Sequence, residues 1–600
     1  MSHDPPGPIR IANCSGYFGD RQSAALEMVE GGPIDVLTGD WLAELTMLIL
    51  SRIRTKRPGA GYARTFVSQM EQVMGTCLDN GIKVVTNAGG LDPDGCAEAI
   101  QEVAQRLGLS PTVAYVHGDD LMPRIDELAA AGRLRSFEEG SAFDPSETLT
   151  ANAYLGCWGI VEALRGGADI VVTGRVTDAA VVCGPAAWHH GWGRSDLDQL
   201  AGAVAAGHII ECSGQATGGN YSFFTEIPGW NDPARARFGY PWAEIESDGS
   251  SVIGKHEGTG GIVSVGAVTS QLLYEIGSPS YPGPDVTARF DAITLEQIEA
   301  DRVRVSGALG ESPPPTLKVS TNIVGGFRNS VSLGLVGLDI SEKAQLCDAV
   351  FWDAYPFTRD EIDDVSIVLS RTEHVDPATN DQATARWTIT VKDSDADKVG
   401  RAFSNAVFQT ALASIPGMHS LSGGPKVAEP FGVFQAARVD REQVPSIVTV
   451  LDGDELVVSS DAVMGVVAEV NVPETTPWAA GPTSPMPLGT IIGARSGDKG
   501  GDANLGLFAR TDDAWLWLDA TLSVERLREL LPETDGLDIS RYRLPRVRSL
   551  NFVIHGLLGE GVAASTRSDA QAKSLGEWIR ARIVEVPDRL ASPAQLHPDS

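Results

Sequence analysis

The chain has 600 residues, with 47 basic against 79 acidic side chains and a net charge of −32. That length predicts more than one hydrophobic core, and that charge excludes nucleic acid and anionic membrane surfaces as default partners, because both select a basic face. Apolar content (42%) is that of a globular protein, while 65 glycines are more than usual.

The first residues, Met1 to Pro8, lack a cationic segment followed by an apolar run. No secretory signal is therefore expected. No apolar stretch approaches the ~20 residues of a spanning helix, so a cytoplasmic protein without membrane contact is expected. The seven cysteines (14, 77, 96, 157, 183, 212 and 347) contain no CxxC pair. They are expected to be reduced, with no metal site and no evident cofactor.

From residue 9 to about 190 a short apolar run, a polar loop and a helical stretch recur five times. The runs begin at Ile9, Asp35, Lys83, Val113 and Asp169. This predicts a mostly parallel sheet in an α/β domain, doubly wound or Rossmann-like, with a closed barrel as the alternative. Gly-rich loops and an α+β extension occupy 200–470, so the first domain is placed at 9–470. The prolines 473, 477, 482, 485 and 487 mark a linker over 471–487. Residues 488–600 read as a small ferredoxin-like α+β domain: strands at 490–494, 505–508, 514–518, 550–555 and 562–565, and helices at 524–531 and 570–583.

Ligands of such sheets bind at the carboxyl ends of the parallel strands. The polar residues there are Asn13, Asp40, Asn87, Gly89, Gly90, His117, Asp119, Arg175 and Asp178. Arg175 offers a planar donor fork for a carboxylate or phosphate. Each of Asp40, Asp119 and Asp178 alone is better read as a helix cap, but capping explains neither Arg175 nor His117 nor the Asn87-Ala-Gly-Gly turn.

A second group comprises His208, Glu211, Lys255, His256 and Glu257, with Asn220, Gly260 and Gly261 in the adjoining Gly-rich loops. A histidine and a carboxylate three residues apart share a helical face and suit acid–base catalysis; solvated helix faces and a plain hairpin are the alternatives. Three of the ten lysines lie in Gly-rich loops: Lys255, Lys426 and Lys499. The segment Arg495 to Asn504, with Asp498, Lys499, Asp502 and Asn504, reads as a ligand-contacting or exposed loop between strands, but lacks the phosphate-loop pattern. Neither a nucleophile elbow nor a dinucleotide fingerprint is present. Glu211 beside Cys212 argues against a reactive thiolate there.

The segments Gly32 to Asp40, Lys83 to Gly90, Val172 to Ala179, Gly207 to Asn220 and Lys255 to Gly261 resemble the acyclic terpene utilisation (AtuA-type) family. Gly493 to Asn504 resembles that family's C-terminal ferredoxin-fold domain. The resemblance implies bacterial catabolism of acyclic terpenoids such as citronellol or geraniol through acyl-CoA intermediates, alongside a carboxylase. It assigns no catalytic residue.

A hydratase or lyase acting on a branched acyl-CoA is therefore expected. His208, His256 or Glu257 would be its base, the N–H groups near Gly89–Gly90 or Gly260–Gly261 its oxyanion donors, and Arg175 and Lys255 its cations. The alternatives are a non-catalytic accessory subunit of an acyl-CoA carboxylase and a hydrolase of a non-CoA substrate. A homo-oligomer is expected. Only −2 of the net charge falls after residue 487. The arginines 541, 543, 546 and 548 there are either a solvated strand edge or a dock for the acidic larger domain, for its twin in an oligomer or for CoA phosphates.

Overall fold

The computed structural model describes residues 6–591 except 138–142, 234–236, 413–414, 422–425, 452, 460–462, 468–469, 471–477 and 479–480. The chain divides into two compact units. The first comprises residues up to 322, 434–562 and 569 onward, and the second 323–433 with 563–568.

The first unit is built on an open, mixed eleven-stranded sheet. Its centre consists of the five apolar runs anticipated from sequence: Ile9–Asn13, Val36–Gly39, Lys83–Thr86, Ile170–Thr173 and Val113–His117. They lie side by side in that order, and every pair is parallel. Each is four or five residues long and almost wholly buried, as expected for strands covered on both faces.

Six antiparallel strands extend this centre. Pro241–Ile245, Ser251–Lys255, Arg302–Ser306 and Thr294–Glu299 lie on one side, and Ser446–Val450 and Glu455–Val458 on the other. The expected mostly parallel sheet is thus parallel only at its centre, and its two free edges correct the barrel alternative. Hairpin-forming segments such as 241–255 can add only antiparallel strands, and period alone does not reveal which edge they join.

The C-terminal part of this unit carries a four-stranded antiparallel sheet in the order Ile492–Lys499, Asp502–Ala509, Ser549–Ile554, Ile539–Leu544. The helices Asp512–Thr521, Val524–Leu530 and Leu575–Arg580 accompany it. Three sequence expectations fail. The run 514–518 is helical, because Thr511 caps the helix by accepting the Ala514 N–H and two aspartates follow at its start. Residues 562–565 form no strand. The final helix ends at Arg580 and gives way to the strand Ile583–Pro587.

Most of the predicted linker lies outside the described residues. Its end, Thr483–Pro487, is a strand that among the described residues pairs with Ile583–Pro587 alone, an edge position that tolerates Pro485 and Pro487. The ferredoxin-like sheet packs on the turn after helix Val265–Leu272. A Cβ on Gly506 would lie 2.6 Å from that of Leu273, and Gly497 faces the Tyr274 ring.

In the second unit, residues 327–336 of strand Thr316–Val336 pair antiparallel with Thr384–Asp393, which pairs with Asp364–Ser370. Helices Ile340–Ala354 and Phe403–Thr410 bury Phe351 and Phe403 with Trp387, Ile389 and Val391.

Candidate active site

The carboxyl ends of the central strands open into a cavity of about 1800 Å³. Asp40 follows the second strand of the chain, and Arg175 and Asp178 follow Ile170–Thr173. His208 and Glu211 sit on the last turn and at the C-cap of helix Leu197–Ile210. One oxygen from each of Asp40, Asp178 and Glu211 lies within 4.8 Å of the others.

Residues behind the cavity hold this trio in place. The Asn13 amide donates to the carbonyls of Ile210 (2.7 Å) and Glu211 (2.9 Å), fixing the end of the helix. The Asn87 amide donates to Asp40 Oδ1 at 2.5 Å. Asp119, buried and pushed up to about 7 by desolvation, accepts the Arg175 backbone N–H (2.9 Å) and the Asn152 amide (2.8 Å). Arg175, 2% exposed, donates to Asp178 Oδ1 at 2.7 Å and to the Leu42 carbonyl at 3.3 Å, and its guanidinium lies 4.2 Å from the Tyr154 ring centre.

Burial pushes Asp40 up to about 8, with the charge of Asp178 adding to it and Arg175 and Asn87 opposing. Burial, Asp178 and Asp40 likewise hold Glu211 well above the carboxylate range. Desolvation and then the charge of Lys499 lower His208 to about 4. The carbonyls of Leu272 and Gln271 oppose this shift, yet neither completes a hydrogen bond with the ring. The floor therefore gathers carboxyl groups that burial and mutual repulsion hold toward their protonated form beside the Asp178–Arg175 salt bridge.

On one wall the Tyr154 hydroxyl donates to Glu44 Oε1 at 3.0 Å and Lys318 Nζ approaches the same oxygen at 3.3 Å. Burial resists ionisation of Glu44, but the charges of Lys318 and Arg175 prevail and bring it to about 2. Another wall comes from the ferredoxin-like sheet. The expected loop 495–504 is a β-hairpin: Lys499 faces Asp502 across Gly500-Gly501, with Gly500 at φ +67°. A side chain on Gly501 would collide with the Gly559 carbonyl.

Lys499 donates to the Glu275 carbonyl at 3.1 Å, and Lys573 lies 3.3 Å from the Glu275 carboxylate and 3.6 Å from that of Asp498. Burial lowers Lys573 to about 8. Burial and then the charge of Lys318 bring Lys499 to about 8, while burial, then Glu44, raises Asp498 to about 7.

Of the residues singled out from sequence, Asp40, Arg175, Asp178, His208, Glu211, Asn220, Asp498, Lys499 and Asp502 line this cavity. Asn13, Asn87 and Asp119 stand directly behind it. Asn504 accepts the Glu275 N–H at 2.8 Å.

The remaining candidates lie elsewhere. Lys255 pairs with Asp301 at 3.0 Å, and the ring of His256 bonds the Met28 carbonyl at 2.9 Å and packs on Gly31 and Gly32. Glu257 is exposed and does not line the cavity. His117 meets Thr449 at 3.3 Å. Gly89 abuts Thr173 and Pro93, Gly90 abuts Leu50 and Gly61, and Gly261 abuts Thr217. The Gly260 carbonyl accepts the Gly239 N–H. Sequence reasoning missed Glu44, Tyr154, Lys318, Glu275 and Lys573, none of which stands in a motif.

The Arg541–Arg548 cluster is mostly internal to the small domain. Arg541 and Arg543 both bind Asp519, at 2.8 and 2.6 Å, and Arg548 binds Asp512 at 2.5 Å. Arg546 reaches the larger sheet domain, donating to the Ala292 carbonyl at 3.2 Å. Arg541 and Arg543 are thus not a solvated edge, and Arg546 contacts the larger domain through a backbone carbonyl and not through an acidic side chain.

A mixed α/β sheet domain with a polar cavity at its strand ends, walled by a ferredoxin-like domain, defines the class of protein. The model of the acyclic terpene utilisation family protein AtuA matches residues 9–450, and that of the AtuA ferredoxin-like domain matches 486–585. The chain belongs to the AtuA family, whose description implies a role in acyclic terpene utilisation. No curated protein matches the chain. Among the described residues no helix is long and apolar enough to cross a membrane.

Proposed function

We propose that the protein is a cytoplasmic enzyme of acyclic terpenoid catabolism that adds water to, or removes it from, the α,β double bond of a branched acyl-CoA thioester. The observation that carries this reading is the trio Asp40, Asp178 and Glu211 beside Arg175 on the cavity floor. In the hydration direction, a water O–H proton passes to the carboxylate of Asp178 while the oxygen bonds to the β-carbon. The proton that completes the α-carbon comes from the carboxyl of Asp40 or Glu211. Negative charge then grows on the thioester oxygen, and Lys318 and Lys499 are cations lining the same cavity. Its volume of about 1800 Å³ exceeds the roughly 300–1,000 Å³ common for small ligands and suits a branched acyl chain with part of its carrier.

The test is turnover of branched enoyl-CoA and 3-hydroxyacyl-CoA thioesters by the purified chain, followed by loss or gain of the enoyl absorbance. Turnover that falls at least ~100-fold in the Asp40→Asn/Glu211→Gln double variant is expected. A stable complex with an acyl-CoA carboxylase and no turnover across the panel overturns the reading in favour of an accessory subunit. Cleavage of non-CoA esters alone overturns it in favour of a hydrolase.

A further inference from the structure

The carboxylates of Asp40, Asp178 and Glu211 come from three separate segments of the chain, and their oxygens converge within 4.8 Å. Two oxygens on opposite sides of one cation are separated by at most twice the metal–oxygen distance, roughly 4–5 Å for Mg²⁺ or Ca²⁺. The three oxygens are thus close to the spacing at which they converge on a single ion, with small side-chain rotations closing the remainder. Among the described residues, Arg175 is the one arginine or lysine bonded to the trio, meeting Asp178 through Nη1.

An independent observation points the same way. His208 is 2% exposed, lines the cavity and turns Nδ1 toward Glu211 Oε1 at 3.6 Å, and among the described residues neither of its ring nitrogens has a hydrogen-bond partner. Buried imidazoles normally satisfy at least one nitrogen. A histidine that bonds the outer side of a metal-ligating carboxylate is a common supporting group of such sites, and here it is already aimed at one.

We infer that Asp40, Asp178 and Glu211 form a binding site for one divalent cation of the Mg²⁺ or Mn²⁺ class, with His208 supporting Glu211. The ligand set is all oxygen, which suits hard cations over zinc or copper. The site uses Asp40 and Glu211, the carboxyls that supply the proton in the proposed reaction, and a bound ion requires them deprotonated, so the site does not rest on that reaction and the two readings fail separately.

The test uses the full chain, stripped with a chelator and titrated with Mn²⁺, with free Mn²⁺ read by electron paramagnetic resonance. The expected result is one ion per chain, with affinity at least tenfold weaker in Asp40→Asn and Glu211→Gln and measurably weaker in His208→Gln. Should a buried variant fail to fold, Asp178→Asn, at a half-buried position, reads the same loss. Absence of saturable binding by the unaltered chain overturns the inference, as does binding unchanged in Asp178→Asn. Saturable binding without turnover of any thioester leaves the cation site standing and removes the hydratase reading.

Discussion

Asn87 bridges the floor of the cavity and its backing: its amide donates to Asp40 Oδ1 at 2.5 Å while its own oxygen accepts the Trp41 N–H at 2.8 Å. Asn87 and Trp41 are fully buried and Asp40 nearly so, so no water can replace either bond. Asn87→Ala is expected to cost about 1–3 kcal/mol for the unpaired groups, measured by urea unfolding. It is also expected to lower kcat more than it changes KM, because Asp40 loses its orientation rather than its place. A stability within 0.5 kcal/mol (an approximate bound) of the unaltered chain would contradict this.

Asp119 makes the stability depend on pH in a known direction. Its carboxyl is raised from 3.8 to about 7 by burial, so between these values the folded chain holds a proton that the unfolded chain releases. Stability from this group is therefore full below pH 4, falls as pH rises and levels off above 7. Asp119→Asn abolishes the slope, so its melting temperature relative to the unaltered chain should rise from pH 4 to pH 7 and then stay flat. A constant difference across that range would refute the assignment.

Asp519 joins Arg541 and Arg543 with its own side chain only 1% exposed. Removing it leaves two guanidinium groups facing a buried gap. Asp519→Ala should destabilise the ferredoxin-like domain by about 3 kcal/mol, seen as an early transition in denaturant unfolding. By contrast, Arg548→Glu disturbs only a pair with Asp512, itself 84% exposed, and should leave the midpoint essentially unmoved.

The hairpin turn separates two kinds of glycine. Gly500 has φ +67° and no neighbour within 3 Å of a built Cβ, whereas on Gly501 the same atom would overlap the Gly559 carbonyl. Gly500→Ala should cost about 1 kcal/mol through backbone strain. Gly501→Ala should cost more and shift Lys499 and Asp502, detectable as a rise in KM with little change in the far-ultraviolet spectrum. Equal effects at the two positions would run against this geometry.

The parallel strands were legible because a strand buried on both faces needs a short, wholly apolar run, and five such runs preceded polar turns. The floor of the cavity followed from them, since Asp40, Arg175 and Asp178 sit just beyond strand ends. His208 and Glu211 were found by helical spacing alone. What period cannot carry is the meeting of distant segments. Lys318 and Tyr154 lie in different elements 164 positions apart, and nothing local in either marks the 4.9 Å contact between amine and ring. The Lys255–Gly261 turn misled for the opposite reason. Its ionisable residues imitate a catalytic loop, yet the ring of His256 fills a space beside Gly31 and Gly32, and the Lys255 ammonium is spent on Asp301. The wholly apolar run at 514–518 misled because a capped start decides for a helix in so short a segment.

The amide of Asn551 donates to the carbonyls of Ile276 and Gly277, and its oxygen receives the Asn504 amide, which in turn fixes the Glu275 N–H. These buried amides rivet the ferredoxin-like sheet to the segment carrying Tyr274 and Glu275. A gene cut at the proline cluster would yield two products that must find each other one for one before the cavity had all its sides. Fusing them in one polypeptide settles that stoichiometry at translation and makes independent loss of the smaller part equivalent to loss of the whole site.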